Sequence, residues 1–268
     1  MKRRTRAPLG QVFLADRRVE RRILEALRLG PEDVVLEIGA GPGNITARLA
    51  AVAGKVVAVE LDAKWAALLR EKFSANSRVE VLQADILKIP LDQVAQSAGR
   101  ERIKIFGNLP YYITSPCLLH LFRYHTRIEE IVVMVQKEVA QRIVAGPGTA
   151  DYGLLSITCQ YYTRPELLFT IPPSAFHRPP KVDSALLRMT VAQQKEALGV
   201  KDEEHFWKWM RAAFAQKRKT LVNNWKGLCD PARLRAAMEE RRIDLRARAE
   251  SLSLAELAAL QESVRSEK

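Results

Sequence analysis

The sequence predicts an α/β protein: an open parallel sheet covered by helices, followed by a small all-α domain. Three observations carry this. Short apolar runs at residues 34–38, 55–60, 79–82 and 103–106 alternate with stretches of helical periodicity, the pattern of repeated βαβ units. The first run flows into Gly39-Ala40-Gly41-Pro42-Gly43, a glycine turn that opens a helix. Beyond residue 192 the strand pattern stops and only helical spacing remains.

Composition narrows the functional classes. The 268 residues hold 43 Lys and Arg against 31 Asp and Glu, a net charge of +12 that favours a polyanionic partner over a small neutral metabolite. Three cysteines without a Cys-x-x-Cys pair argue against a disulfide framework and a zinc site, so no metal is expected. No apolar run approaches the ~20 residues of a membrane span. The basic start Met1-Lys2-Arg3-Arg4-Thr5-Arg6 is followed by no apolar secretory segment. A cytoplasmic protein with no membrane partner is expected.

Residues 1–28 contain nine Lys or Arg against Asp16, Glu20 and Glu25, a surplus of six, so Arg3, Arg4 and Arg6 form a basic arm suited to tracking phosphates. Val19, Ile23, Leu24 and Leu27 recur at helical spacing and predict a helix over 17–29 with its arginines outward. After a turn at 30–33, the strand 34–38 carries Glu37 into the glycine loop, which brings backbone N–H groups close to a ligand at points where side chains would collide. The spacing Gly39-x-Gly41-x-Gly43 after Glu37 differs from the Gly-x-Gly-x-x-Gly of dinucleotide sites.

The strand 55–60 places Glu60 at its carboxyl end, one βα unit after Gly39, where a carboxylate accepts the ribose hydroxyls of a nucleoside cofactor. That logic alone also serves NAD. A helix over 63–73 and a strand over 79–82 lead to Asp85, placed either to accept from an adenine amine or to cap the turn behind it. The strand 103–106 ends in Gly107-Asn108-Leu109-Pro110-Tyr111-Tyr112. Here the Asn108 side-chain oxygen and the Leu109 carbonyl can each accept one N–H of an exocyclic amine, while Tyr111 offers a ring for stacking. Four strand ends thus converge on the carboxyl edge of one parallel sheet.

The chain continues with a helix carrying Cys117, Leu118, Leu121 and Phe122, a buried strand over 128–135, and a helix over 136–143 broken at Gly146-Pro147-Gly148. An apolar helical run reaches Tyr162, and residues 167–171 alternate as a strand. Residues 172–185 form a stiff proline-rich loop on which Phe176 is expected to close on a base from the face opposite Tyr111. Residues 192–201 read as a linker. In the helices beyond, Lys217, Arg218 and Lys219 offer a phosphate contact or simply a solvated helix face.

Several motifs in this order carry a resemblance. Gly10-Gln11-x-Phe13-Leu14 resembles the opening Gly-Gln-Asn/His-Phe-Leu of the ribosomal RNA adenine dimethyltransferases, and Glu37 with Gly39-x-Gly41-x-Gly43 looks like an S-adenosylmethionine loop. Asn108-Leu109-Pro110-Tyr111 resembles the Asn/Asp-x-Pro-Tyr motif of amino methyltransferases acting on nucleic-acid bases. Gln136-Lys137-Glu138-Val139-Ala140, Phe176-x-x-Pro179-Pro180-Lys181-Val182-Asp183-Ser184 and Phe214-x-Gln216-Lys217-Arg218-Lys219-Thr220-Leu221 are similar to later motifs of the bacterial small-subunit enzymes. The chain departs from the pattern at Val12, Arg178 and Lys217.

The resemblance implies a Rossmann-like S-adenosylmethionine-dependent methyltransferase domain with a basic arm over residues 1–191 and a helical RNA-binding domain over 192–268. Cofactor contacts fall at Val12 (backbone only), Leu14, Glu37, Gly39, Gly41, Glu60, Asp85 and Asn108. Catalytic contacts fall at Asn108, Leu109, Tyr111 and Phe176, and RNA contacts at Arg3, Arg4, Arg6, Lys217, Arg218 and Lys219. The implied reaction consumes S-adenosylmethionine, releases S-adenosylhomocysteine and dimethylates N6 of two adjacent adenines in a hairpin near the 3′ end of 16S ribosomal RNA. The implied partner is an immature small ribosomal subunit, with the enzyme acting as a monomer. Two alternatives stay open: a methyltransferase of the macrolide-resistance type acting on 23S RNA, and an assembly factor whose binding matters more than its catalysis. Nothing in the chain resembles a hydride-transfer site.

Overall fold

A computed structural model describes residues 13–192 and 194–264. Val12 and the arm residues Arg3, Arg4 and Arg6 lie outside the described residues. α1 (Arg17–Leu27) starts where the Asp16 carboxylate accepts the Arg18 N–H at 2.7 Å, and it buries Val19, Ile23 and Leu27 while its four arginines stay exposed. It ends at Arg28, which turns left-handed at φ 46°.

Then follow β1 (Val34–Ile38), α2 (Asn44–Val52), β2 (Lys55–Glu60), α3 (Ala63–Lys72), β3 (Val79–Gln83), α4 (Leu91–Ser97), β4 (Ile103–Asn108), α5 (Thr114–Arg123), β5 (Ile128–Gln136), α6 (Lys137–Val144), α7 (Leu154–Tyr162), β6 (Thr163–Ile171) and β7 (Ser184–Val191). One seven-stranded sheet runs β3-β2-β1-β4-β5-β7-β6. The chain starts at β1, steps outward to β3 and returns to β4 on the other side of β1. The β1/β4 boundary is therefore the switch point, where helices diverge and the carboxyl ends of the strands open a crevice. Its register pairs Ile38 with Gly107, which sets the glycine loop beside Asn108.

The sheet is not wholly parallel. β1 to β5 are, but β7 runs antiparallel to β5, and β7 and α4 were absent from the sequence reading. The first six residues of β7 are all buried, so the segment lacks the alternation that marks a half-exposed strand, and the prolines before it mask its start.

The chain divides into two compact units, residues up to Ala140 with Glu166–Val191, and Gln141–Pro165 with the chain from Ala192 on. A single boundary at 191/192 therefore misplaces α7, which belongs to the helical unit. The reason is aromatic packing. Tyr161 stacks on Phe206 at 5.1 Å between ring centroids, inside a core that also holds Trp209 and Trp225. That unit adds α8 (Gln194–Ala197), α9 (Glu203–Ala213), α10 (Leu221–Asn224), α11 (Pro231–Glu240) and α12 (Leu254–Val264). Trp225 is fully buried, with its indole N–H donating to the Trp209 carbonyl at 3.1 Å. Among the described residues no helix is long and apolar enough to cross a membrane.

Candidate active site

A cavity of about 330 Å³ opens at the carboxyl ends of β1, β2, β3 and β4. Gly39, Glu60, Asp85, Asn108, Leu109 and Tyr111 all line it, so six positions spread between residues 39 and 111 meet in one place. A smaller adjoining cavity is lined by Leu14, Glu37 and Asn108.

The glycine loop works differently from the sequence expectation. Its N–H groups are spent inside the protein: Gly39 and Ala40 donate to the Val59 carbonyl, Gly43 to Ala40, and Gly41 to a Glu60 carboxylate oxygen at 2.8 Å. The loop thus supplies close approach and holds Glu60, rather than offering free donors. Gly41 sits at φ 53°, and a Cβ there would lie 2.5 Å from the Phe13 ring.

Glu60 is 4% exposed and held from both sides, by the Gly41 N–H on one oxygen and the Asp62 N–H at 2.8 Å on the other. Its carboxylate is aimed in advance, with the remaining lone pairs available to donors in the cavity. Glu37 is different. It is buried and accepts from the Thr46 hydroxyl at 2.5 Å. Burial, reinforced by the charge of Glu60, pushes its carboxyl up to about 8 against the opposing pull of the Thr46 hydrogen bond and Lys72. Asp85 caps the turn 86–88 through one carboxylate oxygen, which accepts the Leu87 N–H at 3.0 Å, and it lines the cavity as well. The cap expected from the sequence is therefore formed, and the same side chain faces the cavity.

The turn after β4 is fixed at several points. Leu109 donates its N–H to the Met134 carbonyl at the end of β5, at 3.1 Å. A Cβ at Gly107 would lie 2.9 Å from the end of the Leu109 side chain and 3.2 Å from the Ile38 Cβ, so the two neighbours would have to give way. Pro110 enters a 3₁₀ turn, Tyr111–Ile113, closed by the Ile113 N–H on the Pro110 carbonyl. The Tyr111 hydroxyl and the Ser184 hydroxyl lie 2.9 Å apart, so the first residue of β7 pins the Tyr111 ring. Sequence reading did not assign Ser184 a role, since nothing in the spacing of residues 111 and 184 shows that they touch. It also missed Phe13, which lines both cavities and packs edge-on against Trp65 at 5.3 Å.

Phe176 is not at the cavity. It is 4% exposed and belongs to the core beneath α1, because Leu14 and Phe176 form a short antiparallel bridge, extended by the His177 N–H on the Phe13 carbonyl at 2.9 Å. Its ring is used to dock the segment that delivers Phe13 and Leu14. Lys217, Arg218 and Lys219 lie on an exposed turn between α9 and α10, not on a helix face, and Lys217 also donates to the Ala150 carbonyl at 3.0 Å.

A crevice at a sheet switch point with a pre-aimed carboxylate and a ring-bearing Asn-x-Pro-Tyr turn suits a nucleoside cofactor and a planar base. Comparison with known proteins agrees. The family model for ribosomal RNA adenine dimethylase matches residues 2–265. The chain is 48% identical over 254 residues to the ribosomal RNA small subunit methyltransferase A of Acidobacterium capsulatum, covering 94% of this chain and 88% of the relative. It is 46% identical over 270 residues to that of Koribacter versatilis, covering 97% and 94%. In fold it matches a crystal structure of a dimethyladenosine transferase from Plasmodium falciparum, with TM-score 0.76, 22% identity, and 92% and 95% of the two chains covered. It also matches the 23S rRNA methyltransferase ErmE, with TM-score 0.72, 27% identity, and 94% and 99% covered. With sequence similarity spanning nearly its whole length and the Asn108–Tyr111 turn set beside Gly39 and Glu60 in one crevice, this chain belongs to the ribosomal RNA adenine dimethylase family.

Proposed function

We propose that this chain transfers methyl groups from S-adenosylmethionine to N6 of two adjacent adenines in a hairpin near the 3′ end of 16S ribosomal RNA, acting in the cytoplasm as a monomer on an immature small subunit. The observation that carries this reading is the convergence of Glu60, Asp85 and the Asn108–Tyr111 turn on one cavity. Identity to relatives named as small-subunit methyltransferases favours 16S over 23S RNA.

The residues fit the methyl donor. Glu60, held from both sides, suits a ribose diol, and Gly39, Asp85 and Phe13 line the same cavity, whereas Gly41 packs under Phe13 and lines neither cavity. When bound, the donor supplies a methyl on a positively charged sulfur, already activated for attack in line with the departing sulfur. The protein's task is then to aim the nucleophile. N6 of adenine has its lone pair drawn into the ring, and N–H bonds donated to the Asn108 oxygen and the Leu109 carbonyl favour a pyramidal, more nucleophilic nitrogen. The Tyr111 ring, fixed by Ser184, supplies the stacking face. As the N–C bond forms and the S–C bond breaks, N6 carries an extra proton, which passes to water.

The test is incubation with labelled S-adenosylmethionine and unmethylated small or large ribosomal subunits, followed by digestion and mapping of the modified nucleoside. Dimethyladenosine near the 3′ end of the small-subunit RNA is expected. Label confined to the large subunit would overturn the assignment.

A further inference from the structure

The two tyrosines of the Asn108–Tyr112 turn are neighbours in sequence and opposites in environment. Tyr111 is half-buried, with its hydroxyl pinned by Ser184. Tyr112 is 63% exposed, the most exposed of the large apolar side chains among the described residues, and it still lines the cavity. No hydrogen bond or ring contact holds the Tyr112 side chain among the described residues. Its backbone, by contrast, is fixed within the 3₁₀ turn, Tyr111–Ile113, that Pro110 starts and the Ile113 N–H closes.

In a 3₁₀ turn successive side chains point about 120° apart. One ring is therefore directed inward and the next onto the rim, on a shared rigid base. An exposed aromatic ring at the mouth of a cavity suited to a planar base offers a second face on which a base can stack.

We infer that Tyr112 is a second base-binding subsite, stacking on the purine next to the one held against Tyr111. The inference rests on the RNA-adenine reading above. Drawing one base out of a stack strips its neighbour of a stacking partner, at a cost in free energy. A ring at the rim offers the neighbour a replacement face, and stacking on an aromatic side chain tolerates any base. For a substrate with two adjacent adenines, this subsite holds the waiting base while the first is methylated.

The experiment compares wild type, Tyr112→Ala and Tyr112→Phe on two reconstituted small subunits. One carries the unmodified hairpin, and in the other the neighbouring adenine is replaced by an abasic residue. On the unmodified subunit, Tyr112→Ala is expected to raise KM for the subunit on the order of 10-fold. Tyr112→Phe, which keeps the ring, should match wild type. On the abasic subunit wild type should lose about the same factor and Tyr112→Ala nothing further. The exposed position keeps the variant folded, which its melting temperature reports.

The inference is overturned if Tyr112→Ala matches wild type on the unmodified subunit, if its penalty persists undiminished on the abasic one, or if Tyr112→Phe loses as much as Tyr112→Ala. Absence of label with wild-type protein would overturn the functional reading itself, and this inference with it. Wild-type methylation with an indifferent Tyr112→Ala overturns the inference alone.

Discussion

Glu37 and Glu60 stand one strand apart, yet their surroundings set them to different tasks. Glu60 receives two backbone N–H bonds, whereas Glu37 receives one hydroxyl and is buried, so it holds its proton up to about 8. An unfolded Glu ionises near 4.5. Between those values the folded state binds a proton that the unfolded state has released, so stability is greatest below about 4.5 and declines as pH rises toward 8. Glu37→Gln keeps an acceptor for the Thr46 hydroxyl and lacks the titration. Relative to wild type it should gain stability between pH 5 and 8, by an amount on the order of a few kcal/mol. Urea midpoints at pH 5, 6.5 and 8 measure this, and parallel curves for the two proteins would rule it out. Tyr111 and Ser184 give a second residue-scale prediction. Tyr111→Phe and Ser184→Ala each remove the same hydrogen bond, and each should lower kcat/KM for the RNA about 10-fold with the cofactor Kd unchanged, since a hydrogen bond contributes about 1 kcal/mol and aim adds to it. The double variant should be no worse than either single one, and additive losses would mean that the two hydroxyls act separately. Sequence disclosed Tyr111 through its motif, but its partner lies 73 positions away and only the fold brings the two together.

At the scale of elements, the βαβ succession was legible because each strand is a short apolar run and each helix carries a periodic stripe. Three elements were not: α8 lies inside residues 192–201, which read as a linker, and the other two are β7 and α4. β7 lacks alternation because its first six residues are buried, and α4 is short, with a proline as its N-cap in place of a side-chain cap. The glycine loop joins these levels. Gly41→Ala places a left-handed alanine at φ 53°, costing about 1–2 kcal/mol before its Cβ meets Phe13. The Gly41 N–H also holds Glu60, so the change disturbs the loop, the aromatic wall and the carboxylate together. Calorimetric titration with S-adenosylmethionine should show affinity reduced at least about 10-fold. Unchanged affinity would show that the loop can accommodate a Cβ by relaxing. The same element logic corrects Phe176: its motif was recognisable, but the Leu14–Phe176 bridge that draws the ring into the core is a long-range pairing with no local signature.

For the whole molecule, the net charge of +12 makes RNA binding a matter of counterion release. Affinity for small-subunit RNA should fall steeply and linearly in log–log form with salt. Replacing Lys217, Arg218 and Lys219 together by Ala should flatten that slope by roughly 2–3 while leaving cofactor affinity alone. An unchanged slope would assign these exposed cations to solvent. Composition, strand and helix periodicity, and motif order were enough to specify an α/β domain, a helical C-terminal region and, at the crevice, Gly39, Glu60, Asp85 and the Asn108–Tyr111 turn, because each of these is written within a few residues or a single βα unit. Tertiary structure alone decided the rest. It seated α7 in the aromatic core of the helical unit, ran β7 antiparallel beside β5, turned the loop N–H groups inward onto Glu60 and Val59, buried Phe176 and tied Tyr111 to Ser184. Each of those outcomes depends on which distant group satisfies a buried polar atom or fills a packed space, and that choice is made only when the whole chain folds.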